Sequence, residues 1–319
     1  MESLPIDFSH PAVQDYLALV RLQVLTPISL LVNIAIFVVC IVVATPSIAE
    51  VADGHPTSIS PHPPTIALYV SVIFLGQLGY CLLLVLANKP ETKQTLTKAV
   101  GVSLVLANWV MAFWAIAWVF RWFLVATILQ GVLLLLLFYS NLALLVYHPP
   151  TSARPLDTAL IHAPLRFFLA LPLAILFPYS LFVTLGLTFD PTPPGSPRYY
   201  SAWHAWSGFA VVMSTNLFAL VIIAIRRDLV WCIAATWLCV SIWLETPKPA
   251  PVYITVITFT AVHPLVFFLS HAYDFFYGRR RRGGVALPPG DDALHREEAE
   301  RLRHGTLREV DEEAVWGGR

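Results

Sequence analysis

The sequence predicts an all-α, polytopic membrane protein with about eight transmembrane helices. Of its 319 residues, 57% are hydrophobic and 13% are charged, whereas a soluble domain is usually about one quarter charged. The apolar residues form long runs of roughly 20 residues, which is the length that a hydrocarbon core of ~30 Å requires. Lysine and arginine cluster near the ends of alternate runs, as they do in cytoplasmic loops. These features indicate a helical membrane domain rather than a soluble globular fold.

Eight apolar runs follow one another along the chain. They cover about 22–45, 64–87, 99–120, 122–146, 164–188, 204–225, 229–245 and 252–277. The third and fourth runs are separated only by Phe120-Arg121-Trp122, and we expect a hairpin there because a single helix of their combined length would greatly exceed a bilayer. The chain is therefore divided into a cytoplasmic N-terminal segment (1–21), a membrane domain (22–277) and a charged cytoplasmic tail (278–319).

The two halves of the membrane domain, 1–148 and 149–277, resemble each other. The segment "VRLQVLTPISLLVN" (20–33) resembles "LRFFLALPLAILFP" (165–178), and "FYSNLALLVY" (138–147) matches "FLSHAYDFFY" (268–277). Because each half would hold four spans, the halves would be parallel repeats related by an axis along the membrane normal. A 4+4 parallel internal repeat is one interpretation, and a chance likeness between apolar helices is the other.

The distribution of positive charge predicts the orientation. With eight spans, twelve lysines and arginines lie near span ends on the side that holds both termini, and three lie on the opposite side. Cytoplasmic loops carry this excess of positive charge. Both termini are therefore predicted to be cytoplasmic, in an endomembrane or in the plasma membrane.

Membrane lipids are the expected partners. The chain carries 20 basic and 20 acidic residues, so its net charge gives no reason to expect a nucleic-acid partner. The cluster Arg279, Arg280, Arg281 and Arg282 follows the last apolar run directly. It could attract anionic lipid headgroups, or it could simply be the positive anchor that stops translocation.

Polar residues in three of the runs predict a polar seam between spans four, six and eight. One face of the eighth span carries Thr260, His263, Ser270, His271 and Asp274. Gln130 and Asn141 share a face of the fourth span, and the sixth span adds His204, Ser207, Ser214 and Thr215. Ionisable groups within a span normally face the bundle interior or a watery cavity.

The seam has three interpretations. Histidine side chains in general titrate near neutral pH, so His263 would suit a transporter-like role, whereas interhelical hydrogen bonds alone would suit a membrane scaffold. The alternative is an intramembrane enzyme or a haem or metal protein that uses His263 and His271. No His-x3-His, His-Glu-x2-His or Gly-x-Ser-x-Gly motif occurs. No cofactor, metal site or catalytic residue is therefore predicted, and an enzyme is the less expected role.

The general pattern of the spans carries a resemblance. The short proline-rich loops, the tryptophan-rich spans and "RRDLVWCIAATWLCVSIW" (226–243) resemble uncharacterised fungal multi-pass membrane proteins of unknown function. The resemblance implies a multi-pass helical fold and carries over no site and no activity. The tryptophans near span ends are interpreted as interfacial belts that anchor the helices.

Overall fold

The computed structural model describes residues 11–87, 89–147, 155–189, 200–273 and 275–276, and no residue of these ranges lies in a β-strand. The chain forms two compact units, Met1–Phe268 and Leu269–Arg319. In the second unit the described residues are 269–273 and 275–276, which include the end of the last long helix.

Helices account for nearly all of the described residues. They are α1 (Pro11–Val38, continued by a π-turn at Val39–Val43), α2 (Ile48–Asp53), α3 (Pro63–Leu86), α4 (Glu91–Val119), α5 (Phe123–Tyr147), α6 (Pro155–Thr184), α7 (Ala202–Arg226), α8 (Leu229–Trp243) and α9 (Ala250–Tyr273). Two of them contain π-turns, at Thr95–Val100 in α4 and at Thr158–His162 and Pro172–Leu176 in α6.

The helical membrane fold that the sequence predicts is confirmed. Seven of the described helices are long and apolar enough to cross a membrane, and α8 corresponds to the remaining predicted span. The predicted hairpin is present, since α4 ends at Val119, α5 begins at Phe123 and Arg121 between them has a φ of 58°.

Helix α8 is shorter than the predicted span 229–245. It has 15 residues and therefore rises about 22 Å, less than the ~30 Å of a hydrocarbon core. Its start is set by Asp228, whose carboxylate accepts hydrogen bonds from the backbone N–H groups of Val230 (3.0 Å) and Trp231 (3.3 Å). The segment that follows Trp243 contains Pro247, which cannot donate a backbone hydrogen bond to continue the helix.

Helices α4 and α6 form the centre of the bundle. The most apolar window is 61% buried in α4 and 72% buried in α6, against 33% or less in the other spanning helices. Helix α4 packs against α1 and α5, whereas α6 packs against α3, α5 and α8. At the contact of α3 with α6, Gly76 faces Pro164 so closely that a Cβ on this glycine would lie 3.0 Å from the proline ring.

The connection between α1 and α3 is folded onto one end of the bundle, here named the capped end. Its residues 56–60 are all buried, although connecting segments usually run over a protein surface. Buried backbone groups require partners, and this connection has them. The backbone N–H of Phe189 donates to the Pro56 carbonyl (2.7 Å), and that of His62 donates to the Ser241 carbonyl (2.7 Å).

Candidate functional site

A cavity of about 630 Å³ lies at the capped end of the bundle. Helices α1, α2, α3, α4 and α6, the α1–α3 connection and Glu245 line it, and most of the lining side chains are apolar. All of these elements belong to the first compact unit. The volume falls within the ~300–1,000 Å³ that is usual for small-molecule sites.

One wall of the cavity is aromatic. Trp118 lies between Trp114 and Tyr179, with ring centroids 5.9 Å and 5.3 Å away. The indole N–H of Trp118 donates to the Ile48 carbonyl (3.3 Å), and the Tyr179 hydroxyl lies 3.1 Å from the Ala52 carbonyl oxygen. These hydrogen bonds attach the short helix α2 to α4 and α6, so the rings have fixed positions around the cavity.

The cavity also reaches the outer surface of the bundle between α1 and α3. Val38 and Ile41 line it and are 51% and 50% exposed, and on α3 the lining residues Ala67 and Ser71 are exposed as well. Exposed apolar side chains of a spanning helix face lipid. An apolar molecule in the bilayer could therefore enter the cavity sideways.

Aromatic rings close the inner end of the cavity. Phe37 of α1 meets Phe74 of α3 edge to face, with ring centroids 5.8 Å apart, and meets Trp114 of α4 at 6.1 Å. All three residues line the cavity. Together with the lining residues Ile34 and Met111, they form its floor. Asn33, Gln77 and Asn108 follow three to six residues deeper on the same helices, which is about one to two helical turns.

These three amides form a buried hydrogen-bonded chain across α1, α4 and α3. Asn33 Nδ2 donates to Asn108 Oδ1 (3.1 Å), and Asn108 Nδ2 donates to Gln77 Oε1 (2.8 Å). Each side chain is at most 1% exposed. Within the described ranges, Asn33 Oδ1 and Gln77 Nε2 at the two ends have no hydrogen-bond partner. These amides were not among the predicted site residues, although an amide near the middle of each of three apolar runs is a usable signal.

Two carboxylates line the outer part of the cavity. Asp53 ends α2 and is exposed, whereas Glu245 follows α8 and is partly buried. Both line the same cavity as Tyr179, whose hydroxyl lies within 3.2 Å of the carbonyl oxygens of Ala52 and His55, on either side of Asp53 in the chain. The cavity thus combines an apolar, aromatic interior with a negatively charged rim.

The family model for TSPO-like protein matches residues 23–270, which run from α1 to α9 and include every residue that lines the cavity. The chain belongs to the TSPO-like protein family. The resemblance to a multi-pass membrane protein family is thereby confirmed, and so is the integral membrane location. No curated protein and no solved structure matches this TSPO-like chain.

The structure places the polar residues of spans four and eight in separate groups. In α5, Gln130 is fully buried and its Nε2 donates to Met111 Sδ in α4 (3.8 Å). Asn141 donates to the carbonyls of Leu137 in its own helix (2.8 Å) and of Leu165 in α6 (3.2 Å). These side chains therefore link α5 to the central helices of the TSPO-like bundle.

His263 of α9 is paired with α7, the predicted sixth span. Its side chain is fully buried, and Nε2 lies 3.4 Å from the Asn216 carbonyl oxygen. The Asn216 side chain accepts a hydrogen bond from Cys239 Sγ in α8 (3.0 Å). Thr260 donates within its own helix to the Val256 carbonyl (2.7 Å). Spans six and eight thus meet at His263 and Asn216, and Asn216 was not among the predicted site residues.

The remaining predicted site residues lie outside this group. Ser270 and His271 are on the part of α9 that belongs to the second unit. Asp274 and the cluster Arg279–Arg282 lie outside the described residues. In the described part of the TSPO-like chain, no group of three or more His, Cys, Asp and Glu side chains could hold a metal ion.

Proposed function

We propose that this TSPO-like membrane protein binds a small, mainly apolar molecule in the cavity at its capped end. One observation supports this most strongly: a cavity of about 630 Å³ inside a helical bundle, with an apolar lining, is open to the lipid-facing surface between α1 and α3. Ligand sites are typically concave, largely apolar and provided with a few polar groups that orient the ligand.

The wall of the cavity supports a preformed site. Trp114 and Trp118 are 4% and 1% exposed, and their stacked rings are held by contacts among α2, α4 and α6. A ligand would therefore meet rigid aromatic surfaces and would not have to order them, which reduces the entropic cost of binding. The ligand would be held chiefly by apolar and aromatic contact.

Transport is the stronger of the other roles that the sequence suggested, and it stays a prediction. It would require a path from the cavity past the rings of Phe37 and Phe74 and the amide chain beneath them. A membrane scaffold needs no cavity, so the cavity favours ligand binding over that role. The haem or metal alternative through His263 and His271 also stays a prediction. Among the described residues, the polar partner of the His263 ring is a backbone carbonyl of α7, that of Asn216.

Filling the cavity should abolish ligand binding without unfolding the protein. Ala67 lies on the open side of the cavity in α3, so the ring in Ala67→Phe can occupy the space without displacing a packed neighbour. Binding is measured in nanodiscs by energy transfer from the protein tryptophans to diphenylhexatriene, a neutral apolar fluorophore. We expect a saturable component in the wild type and at least a tenfold weaker one in Ala67→Phe, equivalent to about 1.4 kcal/mol or more.

The matched control is Ala210→Phe on α7. Ala210 is also exposed near the start of a helix, and it does not line the cavity. This variant should bind the fluorophore like the wild type. Equal saturable binding by Ala67→Phe and the wild type would exclude the cavity as the binding site.

We also propose that both termini are cytoplasmic and that membrane lipids surround the helices. The excess of lysine and arginine on the side of the termini supports the orientation. A fluorescent tag fused after Arg319 should be destroyed by protease added to cells whose plasma membrane alone has been permeabilised. Full protection of the tag would place the C-terminus on the opposite side.

A further inference from the structure

We infer that the cavity selects amphiphiles with a cationic head, specifically an organic ammonium carried on an apolar body. The inference rests on the proposed function, because it concerns the ligand of the same cavity. Its basis is the combination of the two carboxylates with the aromatic rings that line the same cavity.

The charged side chains that line the cavity are both acidic. Asp53 and Glu245 are the charged residues that line the cavity, and within the described residues neither makes an ion pair. Lys248 follows Glu245 by three residues and does not itself line the cavity; its ammonium donates to the carbonyl of Ser60, a lining residue (2.7 Å). A bound cation would therefore meet two carboxylates in the cavity lining.

The rings beneath the rim suit the same ligand. Tyr179 lines the cavity together with both carboxylates, and its ring packs against Trp118 at 5.3 Å between centroids. The faces of tryptophan and tyrosine attract organic ammonium ions, and aromatic surfaces of this kind bind quaternary ammonium groups in many proteins. A cationic head would thus lie between carboxylates and aromatic rings, with its apolar body above the floor of Phe37 and Phe74.

A neutral or anionic ligand would use this arrangement less well. A neutral polar head would gain no charge–charge attraction from the two carboxylates, of which Asp53 is exposed and Glu245 partly buried. An anionic head would be repelled by both of them. The rim therefore supplies discrimination by charge, whereas the apolar interior supplies most of the affinity.

Three fluorophores with the same apolar body test the inference. Diphenylhexatriene is neutral, its trimethylammonium derivative is cationic and its propionate derivative is anionic. For the wild type in nanodiscs we expect saturable binding of the cation to be roughly tenfold tighter than that of the neutral compound, with the anion weakest. In the double variant Asp53→Asn/Glu245→Gln the three affinities should become similar.

A third variant separates the rim from general surface charge. Glu50→Gln removes one negative charge three residues before Asp53, at a position that does not line the cavity. It also preserves the capping box that Glu50 forms with Ser47, because glutamine can replace glutamate there. This variant should keep the wild-type preference for the cation.

The composition of the nanodisc shows whether the bound ammonium belongs to a membrane lipid or to a free amphiphile. A choline phospholipid carries the same group, so the titration is repeated in nanodiscs of phosphatidylcholine and of a neutral galactolipid. Weaker binding of the cationic fluorophore in phosphatidylcholine would identify a membrane lipid as the occupant, whereas equal binding would identify a free amphiphile. Either result is consistent with ammonium recognition.

Failure of the inference and failure of the proposed function give different results. Two results would overturn the inference alone. In the first, saturable binding is lost in Ala67→Phe but shows no preference for the cation. In the second, the preference for the cation persists in the double variant. Absence of any saturable component that depends on Ala67 would overturn the proposed function as well.

Discussion

Replacing Asp228 with alanine should lower the free energy of unfolding by about 3–5 kcal/mol, the usual effect of breaking a buried ion pair. The Asp228 carboxylate lies 2.6 Å from the Arg166 guanidinium, and the two side chains are 4% and 12% exposed. The same carboxylate caps the start of α8. Its removal would leave a nearly buried arginine without this partner and would also leave the first N–H groups of α8 without a cap.

Two further variants separate these effects. Asp228→Asn keeps a side chain that can cap a helix and removes the charge, so it should cost less than Asp228→Ala. Arg226→Ala removes a neighbouring positive charge that makes no ion pair among the described residues, and it should change stability by less than about 1 kcal/mol. The free energy is measured by reversible unfolding in mixed micelles. A loss of under about 1 kcal/mol in Asp228→Ala would contradict the ion pair.

Replacing Gly208 with valine should both destabilise the protein and weaken ligand binding. In α7 this glycine faces the α1–α3 connection, where a Cβ would overlap Ser58 Oγ and would lie 3.0 Å from Val252 Cγ2 of α9. Overpacking of this kind costs about 1–3 kcal/mol. Because the same connection contributes Pro56, Ser60 and Pro61 to the cavity, its displacement should reduce fluorophore binding too.

Gly131→Ala is the matched control. This glycine is also in the interior of a helix, but a Cβ there would meet the Phe177 ring at 3.5 Å, an ordinary contact. The variant should be neutral or more stable by up to about 1 kcal/mol, since alanine is the better helix former.

Adding Ser58→Ala to a Gly208→Ala variant should restore part of the lost stability. No effect of Gly208→Val on either measurement would show that the connection does not pack against α7.

The helices were predictable from the sequence because their cause is local. A run of apolar residues long enough to cross a bilayer is visible in the chain itself, and hydrogen bonds within the run satisfy its backbone. The hairpin at Arg121 was found on the same basis. The start of α8 at Leu229 agrees with the predicted span, whereas its end was not predictable because the apolar run continues past Trp243 as far as Leu244.

The cavity was not predictable because it depends on helices that are distant in the sequence. Trp114 and Trp118 look like other tryptophans of apolar runs, and the interpretation as interfacial belts fits Trp122 and Trp203, which are 58% and 71% exposed. Only the contacts of α4 with α2 and α6 distinguish the buried pair. Similarly, His263 could be selected as an ionisable group within a span, but its neighbour Asn216 could not be identified without the packing of α7 against α9.

The buried connection between α1 and α3 has a consequence for how the gene can be altered. Thr57, Ser58 and Ile59 are each 1% exposed. This segment should therefore tolerate inserted residues as poorly as the interior of a helix does, and not as well as a hydrophilic loop does. Residues inserted here could not fit in the core, so the segment would have to move outward. The backbone hydrogen bonds that hold it in place would then break. Proteases and antibodies directed at this region would therefore report on unfolding of the capped end and not on which side of the membrane it faces.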